Sequence, residues 1–202
     1  MNMIRLKNDT DQINFIGSWL LDNDLLCDDM IKFFEKNTHL HNQGATDKGI
    51  NISEKKTTDM TINPVDLKKK EYSIINDYFD ELFKCFNDYK NQWSFLKNSI
   101  RTLDIPSFNI QRYLPGDHFS KIHTERSSTS TSHRVFAWMT YLNDIDEQNG
   151  GCTNFSHFNM KIRPKKGKTL IWPAEWTHAH SGEVLKKGKK YIITGWMCFP
   201  FN

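Results

Sequence analysis

Residues 120–125 read S-K-I-H-T-E. A histidine and a carboxylate two positions apart can reach one point from the same side, because residues i and i+2 of a strand share a face. They come just after the turn-forming stretch L-P-G-D. A further imidazole from another strand would complete a metal site. The stretch W-T-H-A-H-S-G offers His178 and His180, which also share a face, so alternation does not choose between them. Two histidines and one carboxylate fill three positions of an octahedron and leave three adjacent ones open, the arrangement suited to non-haem iron(II). Zinc is the rival metal, although catalytic zinc usually keeps a single open position.

Ligands from separate strands need a β-rich frame, and the second half of the chain reads as one. From residue 93 onward come F-N-I-Q-R-Y, V-F-A-W-M-T-Y-L, K-T-L-I-W and Y-I-I-T-G-W-M-C-F. Turn signals such as P-G-D, Q-N-G-G and K-K-G-K separate them. Short strands at close intervals predict an antiparallel sandwich or barrel. Gly150, Gly151 and Gly167 are expected in turns that need positive φ. The low-complexity stretch Ser127–Ser132 is expected to be a mobile loop beside the site.

The first 92 residues read differently. Residues 12–21 suggest a short strand or apolar edge. Asp22 or Asp24 can cap a helix running to about Lys36, with Leu25, Leu26, Met30, Ile31, Phe33 and Phe34 at helical spacing. Residues 38–63 read as a long polar loop, with a short strand near Met60–Ile62. A second helix is expected from Asp66 to Lys90, its stripe formed by Ile75, Phe79, Leu82, Phe83 and Phe86. Both stripes are expected to pack into the core, as are Trp138, Trp172 and Trp176.

Composition sets the setting. The 202 residues suit one domain, and 14 Phe, 6 Trp and 6 Tyr can fill its core. Net charge is +3, yet residues 161–190 carry nine Lys or Arg against Glu175 and Glu183, a local +7 that leaves −4 elsewhere. Such a stretch suits a solvated face or an anionic small molecule. Cys27, Cys85, Cys152 and Cys198 show no zinc-type spacing and read as reduced thiols of a cytoplasmic protein. No apolar run reaches membrane-spanning length. Basic residues without an aromatic stacking motif argue against nucleic acid as a partner.

Residues of roughly 108–197 resemble the iron(II)- and 2-oxoglutarate-dependent dioxygenases of the prolyl 4-hydroxylase-like family. An ordered series of motifs carries the resemblance: I-Q-R-Y-L-P-G-D-H-F before H-T-E, then R-V-F-A-W-M-T-Y-L-N, G-G-C-T-N-F, P-K-K-G-K-T-L-I-W-P, H-S-G-E-V-L-K-K-G-K-K-Y and T-G-W. In that family the distal histidine opens an H-x-G motif and a basic residue stands ten positions later. His180 and Lys190 occupy those places, which favours His180 over His178. The family's usual H-x-D is H-T-E here, so Glu125 would stand in the carboxylate's place with one methylene more.

The resemblance implies an α+β fold in a single domain, 1–202. Residues 93–202 would form a double-stranded β-helix, or jelly roll, and residues 1–92 its helical support. It implies iron(II) held by His123, Glu125 and His180, with 2-oxoglutarate and dioxygen as cosubstrates and ascorbate as reductant. Lys190 would pair with the distal carboxylate of 2-oxoglutarate. If it begins a strand, then Lys190, Ile192, Thr194 and Trp196 face one side, while Lys186, Lys187 and Lys189 stay in solvent. Tyr113, Tyr141 and Thr153 match positions near the cosubstrate, and Trp196 could wall the pocket. The activity implied is hydroxylation of a C–H bond, above all in a proline-containing peptide or protein. A free amino acid or other small molecule is the alternative substrate, and a non-catalytic metal-binding jelly roll the alternative function.

Overall fold

The computed structural model describes residues 3–6, 13–21, 23–46 and 48–200. Strands β1 (Ile4–Arg5) and β2 (Gly17–Leu20) precede helix α1 (Asp24–Lys36). Then come β3 (His41–Gln43), β4 (Lys55–Lys56), β5 (Thr58–Ile62), α2 (Ser73–Gln92) and the short α3 (Ser94–Ser99). The remaining strands are β6 (Phe108–Tyr113), β7 (His118–His123), β8 (Arg134–Tyr141), β9 (Thr153–Phe155), β10 (Met160–Ile162), β11 (Lys168–Pro173), β12 (His180–Gly182) and β13 (Lys190–Cys198). They form two antiparallel sheets. The larger has the order β1-β2-β11-β8-β13-β6-β5-β3, and the smaller β10-β9-β12-β7-β4. This is the expected jelly-roll core with helices on its outer side.

Strand alternation divides the interior into two cores. Along β8, Phe136 and Trp138 pack with α1 and α2, whereas Ala137, Met139 and Tyr141 pack toward the small sheet. Along β13, Tyr191, Ile193 and Met197 join the helix-side core, and Ile192 the inter-sheet core. Trp138 is fully buried, and truncating it to Ala would cost about 3–5 kcal/mol. Gly195 is required beside it: a Cβ there would lie 2.6 Å from the Trp138 ring and 2.7 Å from Phe108.

The helices form for the expected reason, with different ends. Asn23 caps α1 by accepting the Leu26 N–H at 3.1 Å, and Asp24 is the first helical residue. Asp22 lies outside the described residues. Leu26, Met30 and Phe34 are buried, but Leu25 is exposed. The second helix begins at Ser73 rather than Asp66. Pro64 and the Asn63–Asp66 capping box close a 3₁₀ turn instead, and extended Lys69 separates it from a second 3₁₀ turn at Lys70–Tyr72. In α2, Ile75, Phe79, Leu82 and Phe86 are buried as expected, while Phe83 is exposed.

Residues 38–63 are not one loop. They supply β3 and β5 to the large sheet and β4 to the small one. These strands lie at or near sheet edges, and β3 and β4 are too short and polar to show a period in sequence. Residues 1–92 therefore contribute strands as well as helices. Trp176, expected in the core, is 67% exposed on a 3₁₀ turn. Gly150, Gly151 and Gly167 take φ of 71°, 75° and 75°, as their turns demand. Among the described residues, no helix is long and apolar enough to cross a membrane.

Candidate active site

Between the two sheets lies a cavity of about 470 Å³. The small sheet brings two histidines to its wall. His180 of β12 sits directly opposite His123 of β7, and their ring centroids are 4.4 Å apart. Glu125, two residues beyond the end of β7, turns its side chain to the same place. Its Oε1 is 3.3 Å from His180 Nε2 and 3.8 Å from His123 Nε2. Potential ligand atoms of these three residues all lie within 4.8 Å of one another, a group that could hold a metal ion.

Main-chain carbonyls set which nitrogen faces the site. His123 Nδ1 is 2.9 Å from the Lys121 carbonyl oxygen, and His180 Nδ1 is 2.9 Å from that of His178. Each Nδ1–H donates there, which leaves the lone pair of Nε2 directed at Glu125. Phe119 stacks on His123 at 3.8 Å, and Trp172 packs edge-on against His180 at 5.2 Å. Burial, aided by the neighbouring His180, lowers the His123 pKa to about 4, so the ring is neutral. Burial alone would raise the Glu125 carboxyl. The facing imidazoles and the hydrogen bond from the Trp196 indole N–H outweigh it and bring the carboxyl to about 2. Neutral imidazoles and an ionised carboxylate are the protonation states that a cation needs.

His178 is elsewhere. Its Nε2 is bonded to the Asn14 carbonyl oxygen at 2.8 Å and its Nδ1 to Thr177 Oγ1 at 2.9 Å. Both ring nitrogens are committed, and its main chain orients His180.

The large sheet supplies the opposite wall. Lys190, Ile192, Thr194 and Trp196 of β13 all line the cavity, as their alternation requires, whereas Lys186, Lys187 and Lys189 are exposed. Lys190 is 2% exposed. Its Nζ donates to the Gly151 carbonyl at 3.0 Å and lies 3.9 Å from the centre of the Tyr113 ring. Among the described residues no carboxylate is within ion-pair distance of it. Burial lowers its pKa to about 8. A buried ammonium facing a cavity without a counter-ion among the described residues would gain a partner from an anion that entered it.

The remaining expected residues divide. Tyr113 lines the cavity, and its hydroxyl donates to Gln111 Oε1 at 3.0 Å. Thr153 lines it too, with its hydroxyl 2.6 Å from that of Tyr141. Tyr141 itself stands behind Thr153, fully buried, with its hydroxyl 3.3 Å from the Ile162 carbonyl. Burial pushes both phenols well above their usual pKa, so each remains a donor. Trp196 donates from Nε1 to Glu125 Oε2 at 2.6 Å.

Sequence reasoning missed several wall residues. Arg134 opens β8 and stacks over Trp196; its parity in R-V-F-A-W is that of Phe136 and Trp138 on the helix side, and the register shift between Met197 and Cys198 that accompanies its place is not visible in sequence. Gln111 holds a buried pair on the other side of the cavity: its Nε2 donates to Asp59 Oδ2 at 3.0 Å, and Lys55 Nζ lies 2.7 Å from the same oxygen. That pair belongs to residues read as loop. Ser127–Ser132, expected to be mobile, contains a 3₁₀ turn at Thr129–Thr131. The buried Thr131 hydroxyl accepts the Ser127 and Ser128 N–H groups.

Comparison with known proteins agrees with this geometry. The model of the 2OG-Fe(II) oxygenase superfamily matches residues 108–198. Procollagen-lysine,2-oxoglutarate 5-dioxygenase 1 of Gallus gallus is 26% identical over 178 residues, 86% of this chain and 22% of that protein. The Bos taurus protein of the same name is 33% identical over 89 residues, 44% of this chain and 12% of that one. The chain thus spans less than a quarter of the length of these relatives. Among solved structures, a viral collagen prolyl hydroxylase from Paramecium Bursaria Chlorella virus-1, as its 2OG complex, superposes with a TM-score of 0.67 at 19% identity, covering 93% of this chain and 97% of that one. A Pseudomonas putida prolyl-4-hydroxylase gives 0.69 at 14% identity, covering 93% and 94%. A Trichoplax adhaerens prolyl hydroxylase in complex with a hypoxia inducible factor oxygen degradation domain peptide fragment gives 0.68 at 14%, covering 92% and 84%. These likenesses establish the fold. The family uses iron(II), 2-oxoglutarate and dioxygen, and a cavity with a lone-pair cluster on one wall and a buried lysine on the other suits the metal and the dianion. Residues 108–198, just under half of the chain, match the 2OG-Fe(II) oxygenase superfamily, and the geometry of the site fits that family's chemistry.

Proposed function

We propose that this chain hydroxylates a prolyl residue of a peptide or protein, with His123, Glu125 and His180 as iron ligands and Lys190 as the anchor of 2-oxoglutarate. The observation that carries the reading is the shared cavity: three converging ligand side chains and a buried, anion-less ammonium line the same space. Bound iron(II) with 2-oxoglutarate supplies the oxidative chemistry, decarboxylating the cosubstrate to succinate and hydroxylating a C–H bond.

The chain's own residues bind, orient and exclude water. The Lys121 and His178 carbonyls hold the two imidazoles in the ligating tautomer. Glu125 offsets half of the metal charge. Lys190 pairs with the distal carboxylate of 2-oxoglutarate, which regains a partner as it leaves water. Tyr113 floors that end with its ring. Phe119, Met139, Trp172 and Ile192 keep the remaining wall apolar, which strengthens every charge interaction inside.

Proline is favoured over lysine by the charge of the wall. The basic side chains lining the cavity are Lys48, Lys55, Lys121, Arg134 and Lys190, and the acid lining it is the proposed ligand Glu125. A substrate ammonium would meet cations there, whereas a pyrrolidine ring carries no charge. The prolyl hydroxylases that share the fold support the same choice, and the lysine dioxygenases that share sequence support a peptide substrate generally. The reading includes a reducing, cytoplasmic setting, supported by four unpaired, buried cysteines.

The test is mass spectrometry of peptides incubated with the protein, iron(II), 2-oxoglutarate and ascorbate. One added oxygen on proline, with matching succinate, is the expected result. Oxygen on lysine alone, or turnover only with free amino acids, would overturn the substrate assignment.

A further inference from the structure

Glutamate in the ligand position has two equivalent oxygens and one more rotatable bond than the aspartate usual in this family. Its main chain is fixed before its side chain is considered. Thr124 Oγ1 donates to the Ala174 carbonyl at 2.9 Å, Arg134 Nη1 donates to the Glu125 carbonyl at 2.9 Å, and Arg126 pairs with Glu175 at 2.7 Å. Three consecutive residues are thereby tied to other parts of the chain, and the extra methylene must be absorbed by the carboxylate itself.

We propose that Trp196, braced by Arg134, is the positioning residue that makes Glu125 a one-oxygen ligand; the inference rests on the metal reading above. The indole Nε1–H occupies Oε2 at 2.6 Å, while Oε1 alone faces the imidazole nitrogens at 3.3 and 3.8 Å. The Arg134 guanidinium carbon lies 3.7 Å from the centre of the Trp196 ring and holds the indole flat. Its Nη1 is also 3.8 Å from Oε2, so positive charge adds to the hold on that oxygen. β8 and β13 are neighbours, with Ala137 opposite Trp196 and Arg134 opposite Cys198, so the brace is part of the sheet. A carboxylate free to turn could present both oxygens and cover a position that the cosubstrate and dioxygen need. With Oε2 occupied, the longer side chain does the work of the shorter one.

The experiment titrates Mn(II) into the metal-free protein, reading free Mn(II) by electron paramagnetic resonance. Trp196→Phe keeps an aromatic ring for Arg134 to stack on and removes the N–H together with part of the indole, a loss of volume that the Glu125→Asp background shares and so cancels. Loss of a hydrogen bond to a charged oxygen predicts Mn(II) binding about tenfold weaker. In a Glu125→Asp background the carboxylate is too short for the indole, and the same change should alter binding by no more than about twofold. Infrared spectra of protein with ¹³C-labelled glutamate give a second readout needing no aspartate variant. The separation of the carboxylate stretches should be wide in the Mn(II)-bound parent and narrow toward the two-oxygen value in Trp196→Phe. Equal losses in the parent and Glu125→Asp backgrounds, or an unchanged infrared separation, would overturn the clamp. Mn(II) binding that survives His180→Ala undiminished would overturn the metal reading and the clamp with it.

Discussion

His123, half-buried, and Lys190, buried, are both basic side chains on the wall of one cavity, yet their surroundings are opposite. Around His123, Glu125 and His180, each polar atom not aimed at the shared centre has a partner: two carbonyls take the Nδ1 hydrogens and Trp196 takes Oε2. The rest is a knot of lone pairs. Around Lys190 the charge is present and, among the described residues, the partner is absent, apart from one carbonyl and the face of Tyr113. The small-sheet wall is prepared for a cation, and the large-sheet wall for an anion. Burial reinforces the contrast, because it keeps His123 neutral and makes an ammonium at Lys190 costly.

The contrast breaks most severely at the first wall. His123→Ala or His180→Ala removes a lone pair that nothing nearby replaces. Metal binding and succinate formation should fall to background. His178→Ala is the control: it removes no ligand, but it leaves the Asn14 carbonyl without its imidazole partner. The expected result is a loss of about 1–3 kcal/mol of stability with metal affinity nearly intact. Denaturant melts and Mn(II) titrations of the three variants separate the roles.

At the second wall, function and stability should move in opposite directions. Lys190→Met fills the same volume without a charge. It should raise the 2-oxoglutarate requirement at least tenfold, since a charge-assisted hydrogen bond is worth about 1.5–3 kcal/mol. It should also stabilise the substrate-free protein. Lowering the lysine pKa from 10.5 to about 8 corresponds to a burial cost on the order of 3 kcal/mol. The folded value lies below the unfolded one, so that cost is absent above 10.5, grows as pH falls and is complete below about 8. The melting advantage of Lys190→Met should therefore be full at neutral pH and shrink toward pH about 10. An advantage constant from neutral to alkaline pH would mean that the ammonium is not what burial penalises.

A smaller effect tests the same charge without mutation. With Lys190 as the proposed anchor, the cosubstrate anion would need the protonated lysine, and the unloaded protein loses that proton through pH about 8. The KM for 2-oxoglutarate should be flat below this point and rise by up to about tenfold per pH unit above it. A KM unchanged to well above pH about 8 would assign the anion to another cation.

Both walls were legible in sequence to different depths. The triad could be read because H-T-E and H-S-G lie within short, motif-bearing segments. The inward turn of Lys190 could be read because β13 keeps strict alternation from Lys190 to Trp196. Features that depend on pairing across distance could not be read. β3 and β4 have three and two residues, too few for a period, and are strands only because β5 and β7 lie beside them. The Lys55–Asp59 pair stayed hidden with them. Arg134 meets Trp196 because β8 and β13 are adjacent, a fact no local window contains. Trp176 misled for the converse reason: aromaticity suggested burial, but its turn points it outward.

Two tyrosines give the finest comparison, because the family resemblance treats them alike and the structure does not. Tyr113 lies on the cavity wall, its ring under Lys190 and its hydroxyl on Gln111. Tyr141 reaches the cavity only through the Thr153 hydroxyl. Tyr113→Phe keeps the ring beneath the ammonium and loses one hydrogen bond worth about 0.5–1.5 kcal/mol, so the KM for 2-oxoglutarate should rise no more than about tenfold. Tyr141→Phe leaves Thr153 and the Ile162 carbonyl short of a partner in a fully buried place. That should appear as about 1–3 kcal/mol of lost stability with a smaller change in KM than at Tyr113. If Tyr141→Phe raises KM more than Tyr113→Phe does, the Thr153 hydroxyl is the cosubstrate's contact and Tyr141 holds it in place, and the anion site then extends from Lys190 toward β9.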